Sequence, residues 1–106
     1  MRGKVPAMRP VPEASLARWR ALDAADVLVA LAEHAKCDRT FVPAKSGSST
    51  RWHATVAGTD FELVLTGPKF WDTRANVGGG GALDLVLHLV GGNFKQAVGK
   101  LQAAKL

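Results

Sequence analysis

The spacing of apolar residues changes period twice along this chain, and the two changes divide it into helix, strand and helix. Between Glu13 and Leu22 the apolar Leu16 and Trp19 stand three apart, with Arg18 and Arg20 off their line, which predicts a short helix. Asp23 reads as an N-cap, followed by a second helix to about Lys36. Leu22 and Val27 are spaced to staple its start. Val27, Leu28, Leu31 and Ala35 make its apolar stripe and leave Glu33 and Lys36 to solvent. From Asp38 the period falls to two, giving strand candidates at Thr40–Val42, Arg51–Val56, Phe61–Leu65 and Lys69–Asp72. Lys45–Ser49, Ala57–Asp60 and Thr66–Pro68 supply the turns between them. The helical period returns over about 81–90 and 94–104, after the glycine run Gly78–Gly81 and on either side of Gly91-Gly92. Asn93 with Gln96 three residues later forms a capping box for the last helix. Its buried face is read as Phe94, Ala97, Val98 and Leu101, with Lys95 and Lys100 outside. The expected fold class is α+β: a small antiparallel sheet packed by N-terminal and C-terminal helices. Residues 1–12 carry Pro6, Pro10 and Pro12 and no apolar period, so they are read as a disordered arm before a single domain at 13–106.

Charge adds a partner class to this outline. The formal net charge is +5 with a sequence pI near 9.9, and both ends of the chain are basic. Arg2, Lys4 and Arg9 precede any acid, and Lys95, Lys100 and Lys105 follow the last one, Asp84. Such an excess favours a polyanion through counterion release. No apolar run approaches the roughly 20 residues that cross a bilayer, and the first residues lack the apolar core of a signal peptide. The expected location is the cytoplasm, with no membrane partner. The single cysteine, Cys37, has no partner for an internal disulfide and is read as a non-catalytic thiol. Three histidines fall outside metal-ligand spacing, so no metal and no cofactor are expected.

The glycine run is open to two readings: a turn with close backbone packing, or a cradle for a phosphate at a helix N-terminus. It lacks the Lys-Ser/Thr of a P-loop and does not fit the dinucleotide fingerprint. Trp71 and Trp52 belong either to the core or to a surface on which unpaired bases stack. Arg51, Lys69 and Arg74 either line a phosphate track or are solvated charges. Asp84 and His88, four apart, share one helix face as a polar stripe or as an acid–base pair.

The stretch from Phe70-Trp71-Asp72-Thr73-Arg74-Ala75-Asn76 through the glycines and Ala82–Val86, and on through Asn93-Phe94-Lys95-Gln96-Ala97-Val98 to Leu101, resembles the zinc-binding domain of bacterial DnaG-type primases. That family has an aromatic strand, a Cys-x-x-Cys turn, a glycine pair, an apolar helix and a closing Phe-x-x-Ala-Val-x-x-Leu helix. The resemblance covers residues 40 to 102 and keeps the order of the elements. Aligned through the glycines, the zinc ligands fall at Thr73 and Asn76 and near Arg51 and Ala54. None of these four is a zinc ligand, and His53, one place away, cannot hold tetrahedral zinc alone. The resemblance is therefore to zinc-less variants, zinc-ribbon-like but metal-free, of the type found beside primase-like modules in plasmid and phage proteins. In such a variant Phe61, Leu63, Leu65, Phe70 and Trp71 are expected to pack on the last two helices in place of metal. The implied function is non-catalytic binding of DNA, single strands before duplex, accessory to replication or conjugative transfer of a mobile element. Arg51, Trp52, Lys69, Trp71 and Arg74 are the expected contact residues. The alternative is a protein–protein adaptor or inhibitor docking on a relaxase, primase or helicase. A small enzyme built on Asp84 and His88 is the third class.

Overall fold

A computed structural model describes residues 11–43 and 47–106. Among these residues four helices and five strands follow in the order α1 (Glu13–Ala21), α2 (Ala24–Leu31), β1 (His34–Asp38), β2 (Thr50–Val56), β3 (Thr59–Thr66), β4 (Lys69–Asp72), β5 (Val77–Gly80), α3 (Ala82–Val90) and α4 (Phe94–Ala103). The sheet is an antiparallel meander in which β1 to β5 lie side by side in chain order. Helices from both ends of the chain pack on it, so the α+β expectation holds. The arm assigned to 1–12 lies outside the described residues as far as position 10. Val11, by contrast, packs against the core, and Pro12 occupies the N-cap of α1.

Strand parity decides which side chains reach that core. Ala54 and Val56 of β2, Leu63 and Leu65 of β3 and Phe70 of β4 point to one face, and all are buried. Against them lies α3, whose Ala82, Leu85, Val86 and Leu89 repeat at helical spacing and are buried in turn. α3 also touches α1, α2, α4 and β5, which makes it the centre of the helical layer. Trp19 is the largest side chain of the core and is 1% exposed, although its indole Nε1–H finds no hydrogen-bond partner among the described residues. Burying an indole is worth about 4–6 kcal/mol by area, against about 1–3 kcal/mol for one unsatisfied donor, so burial wins.

Three elements differ from their expected form. α2 stops at Leu31, and the residues assigned to its last turn form β1, with Ala35 opposite Ala54 and Cys37 opposite Trp52. Ala32 already has extended dihedrals, and the Glu33 N–H donates to the Thr55 carbonyl, so sheet pairing overrides the helical spacing of Ala35. Thr40–Val42 is not a strand: the Asp38 carboxylate accepts from the Thr40 N–H at 2.9 Å and its hydroxyl at 2.6 Å, and this turn ends β1. The glycine run is not a loop but the edge strand β5, paired with β4 from Asp72↔Val77 to Lys69↔Gly80. Only its last member, Gly81, takes a positive φ, +90°, where the chain turns into α3.

Both predicted caps lie where expected, with different chemistry. Asn93 and Gln96 exchange the two hydrogen bonds of a capping box, each 2.9 Å. Asp23 stands at the N-cap of α2 but its side chain makes no cap bond; the first helical N–H, that of Ala24, donates instead to the Gly67 carbonyl at 2.7 Å and ties α2 to the β3–β4 turn. Phe94 leaves the face assigned to it and is 47% exposed, while Ala97, Val98 and Leu101 are buried as expected.

Candidate nucleic-acid interface

Among the described residues, none on the second face of the sheet is buried. Register sets one row of side chains across it, Asp38, Arg51, Val64, Trp71 and Gly78, with Lys36, His53 and Glu62 in the row on one side and Thr66, Lys69 and Gly80 on the other. Of the expected contact residues, Arg51, Lys69 and Trp71 therefore share this outer face. Trp52 does not: its parity is that of Ala54, it packs partly buried against the core, and its Nε1–H donates to Thr50 Oγ at 3.0 Å. Trp71 makes the converse correction. Expected among the packing residues, it lies between inward Phe70 and Asp72 and is 45% exposed. Its six-membered ring lies against Gly78, where a Cβ would come within 2.7 Å of the ring. Glycine at that edge position lets the indole lie over the backbone of β5 and fixes its orientation.

The basic residues of this face are not equivalent. Arg51 donates through both Nε, at 3.0 Å, and its terminal nitrogen to Asp38 Oδ2, and its guanidinium sits 5.2 Å from the Phe41 ring centre. The hydroxyl of Thr40 and the Arg51 guanidinium hold the Asp38 carboxyl far below the usual range. Its counter-charge thus already engages Arg51. Lys69 is exposed at one end of β4. Arg74 is exposed just past the other end, beside a small cleft shared with His53, Asp60 and Phe61. Lys69 and Trp71 accordingly lie on β4, and Arg74 follows in the turn past its end.

The turn after β4, at the place where the resemblance implies a Cys-x-x-Cys, is held by hydrogen bonds. Asp72 points inward and is 4% exposed. One carboxylate oxygen accepts from the N–H groups of Arg74 (2.9 Å) and Ala75 (3.0 Å), and the other lies 2.6 Å from His88 Nε2. Burial works to raise the Asp72 pKa, but the bonds from Ala75, His88 and Arg74 outweigh it and hold it below its ordinary value. The His88 ring lies 5.2 Å from that of Phe70 and 5.9 Å from that of Phe61. Thr73 donates its hydroxyl to Glu62 Oε1 at 2.6 Å, which keeps the Glu62 carboxyl low, and Asn76 adopts φ +56° while its N–H donates to the Asp72 carbonyl. Among the described residues no group of three or more His, Cys, Asp or Glu side chains is placed to hold a metal ion.

Asp84 and His88 do share a helix face but serve different partners. His88 meets Asp72, whereas Asp84 Oδ2 accepts from the Gly80 N–H at 3.3 Å and covers the edge of β5. The Asp72–His88 pair was missed from sequence because its members lie on different elements. The alternation Phe70 in, Trp71 out, Asp72 in was the available signal, since a carboxylate forced inward requires partners.

Charge is distributed less favourably than the total implies. The described residues hold ten Lys and Arg against nine Asp and Glu, so Arg2, Lys4, Arg9 and Lys45 supply four of the five net positive charges. No helix among the described residues is long and apolar enough to cross a membrane. No protein-family model, curated protein or solved structure matches this chain.

Proposed function

We propose that the chain is a non-catalytic binding module for single-stranded DNA, accessory to replication or conjugative transfer of a mobile element, and that the strand runs along β4 on the outer face. The observation that carries this reading is Trp71, an indole held on Gly78 and open to solvent between Lys69 and Arg74. An exposed aromatic on a sheet offers a stacking platform to any base, and flanking cations meet the phosphates. The primase-type resemblance over residues 40 to 102 supports the replication setting. Arg51 is a secondary contact, because a phosphate would compete with Asp38 for it.

The test is a fluorescence titration of a labelled single-stranded oligonucleotide at two salt concentrations. Trp71→Ala lowers affinity about 5- to 150-fold, the equivalent of about 1–3 kcal/mol for one stacked base. If Trp71→Ala, Lys69→Ala and Arg74→Ala all bind like the parent protein, this surface is wrong. A second reading, an adaptor or inhibitor docking on a relaxase, primase or helicase, is favoured by the near-balanced charge of the described residues. Absence of oligonucleotide binding at low salt, with one of those proteins retained in a pull-down, would decide for it.

A further inference from the structure

The two edges of the sheet are finished differently. At β5 the Gly80 N–H is taken by Asp84, and the Gly81 N–H by the Pro68 carbonyl, before the chain turns into α3. β1 is the opposite edge strand, paired on one side with β2, and among the described residues no strand pairs its other side. Residues His34–Asp38 contain no proline, and their register with β2 is unbroken over five pairs, so within this strand neither a proline nor a bulge blunts the edge, which carries one central lysine. A groove of about 780 Å³ runs along this edge between His34 and Thr40, with His53 in its wall. Its charge is one-sided. Asp38, the one acid lining it, is engaged by Arg51 and Thr40, whereas Lys36 and Arg39 are exposed and have no ion-pair partner among the described residues.

We propose that the free edge of β1 is a docking groove for an extended acidic peptide segment of a partner protein, which adds to the sheet as a sixth strand beside His34–Asp38. Backbone groups of alternate β1 residues supply the ladder, and Lys36 and Arg39 select for acidic side chains. Two other occupants fit less well. A second copy pairing antiparallel about Lys36 would set Lys36 against Lys36, and like charges directly opposite destabilise a strand pair. The chain's own first residues bring Arg2, Lys4 and Arg9 with no acid, together with prolines that cannot donate to a ladder.

The probe is a labelled peptide of alternating Glu and Val, compared with its Lys/Val counterpart and with two versions N-methylated at alternate amides, one set for each edge of the peptide. The Glu peptide binds at least tenfold more tightly than the Lys peptide. One of the two methylated versions loses binding, and the other retains it. On the protein side, alternate amides of His34–Asp38 become protected from hydrogen exchange when the Glu peptide binds. Lys36→Glu with Arg39→Glu lowers affinity at least tenfold and reverses the preference between the two peptides, with the far-ultraviolet circular dichroism unchanged. Trp71→Ala, which removes the proposed stacking group on the other strand, leaves peptide binding as it was. Failure of the Glu peptide to bind, equal binding of both charges, or indifference to both methylation patterns would overturn the proposal. So would a dimer abolished by Lys36→Asp, which would give the edge to a second copy. Oligonucleotide competition lost on the Lys36 and Arg39 reversals would give it to nucleic acid.

Discussion

Trp52 and Trp71 are the same residue on neighbouring parts of one small sheet, and strand parity gives them opposite surroundings. Trp52 points to the helices, packs on the core and ties its indole N–H to Thr50. Trp71 points away, rests on Gly78 and exposes nearly half its surface. The faces they belong to differ in the same sense. On the inner face Leu63 and Leu65 are at most 2% exposed, and Asp72, the one buried charge among the described residues, is engaged by two backbone N–H groups and His88. On the outer face Arg51 is paired with Asp38 and Glu62 accepts from Thr73, while His53 makes only contacts of 3.7 and 3.8 Å and Lys69 faces solvent. The inner face holds the fold together and the outer face is available to a partner, so a substitution should register in stability or in binding according to parity.

The largest effect belongs to the inner face. Leu63→Ala removes a fully buried side chain at the centre of the sheet and should cost about 2–5 kcal/mol in chemical denaturation, the range for cavities left by leucine. A cost under about 1 kcal/mol, within the range of exposed positions, would break the comparison at its strongest point.

Asp72 comes next. Asp72→Asn keeps the shape but removes the charge from a buried site with three donors or partners, and should cost about 1.5–3 kcal/mol at neutral pH. The pH dependence has a fixed sign. The Asp72 carboxyl is held below its unfolded value, so its contribution is fully present above about pH 4 and is lost as pH falls through the lower folded value. The low-lying Asp38 and Glu62 carboxyls act in the same direction. In an acid titration of stability, Asp72→Asn should be flatter than the parent below about pH 4; parallel curves would remove Asp72 from the account.

The glycines of β5 permit a finer cut, within one strand. A Cβ at Gly79 would lie 2.9 Å from the Phe70 ring and 3.1 Å from Asp84 Oδ2, whereas at Gly80 the nearest atom is Lys69 Cγ at 3.7 Å. Gly79→Ala should therefore cost about 1–2 kcal/mol, since Phe70 must tilt in a filled core, and Gly80→Ala less than about 0.5 kcal/mol. Equal costs in a melting experiment would mean that the inner contact is slack.

These contrasts also mark what was legible in the sequence. The helices α3 and α4, the buried Ala97, Val98 and Leu101 of α4, the Asn93/Gln96 box and the strands β2 to β4 follow from spacing alone, because each is a local pattern with one favourable solution; the exposure of Phe94 at the first turn of α4 does not. β1 and β5 were hidden for opposite reasons. Ala35 and Lys36 carry good helix propensity and became strand through pairing with β2, and four glycines have no side-chain alternation to read. At the site, the face shared by Arg51, Lys69 and Trp71 follows from register, which individual strand assignments do not supply. Whether Trp52 or Trp71 faces the core depends on the same register, as does the meeting of Asp72 with His88 across sixteen residues.

A small expected change in stability at the outer face tests the comparison most directly. Trp71→Ala leaves the inner face untouched and loses one cross-strand contact with Gly78, worth about 0.2–1 kcal/mol. Trp52→Ala removes partly buried core contacts and should destabilise more, while oligonucleotide affinity measured well below its melting temperature stays near that of the parent. For Trp71→Ala the order is reversed, with stability nearly kept and affinity lost. The two variants, measured side by side in denaturant and in titration, therefore predict a crossed result. An uncrossed one, in which the variant that loses more stability also loses more affinity, would mean that binding follows the integrity of the fold rather than the outer face.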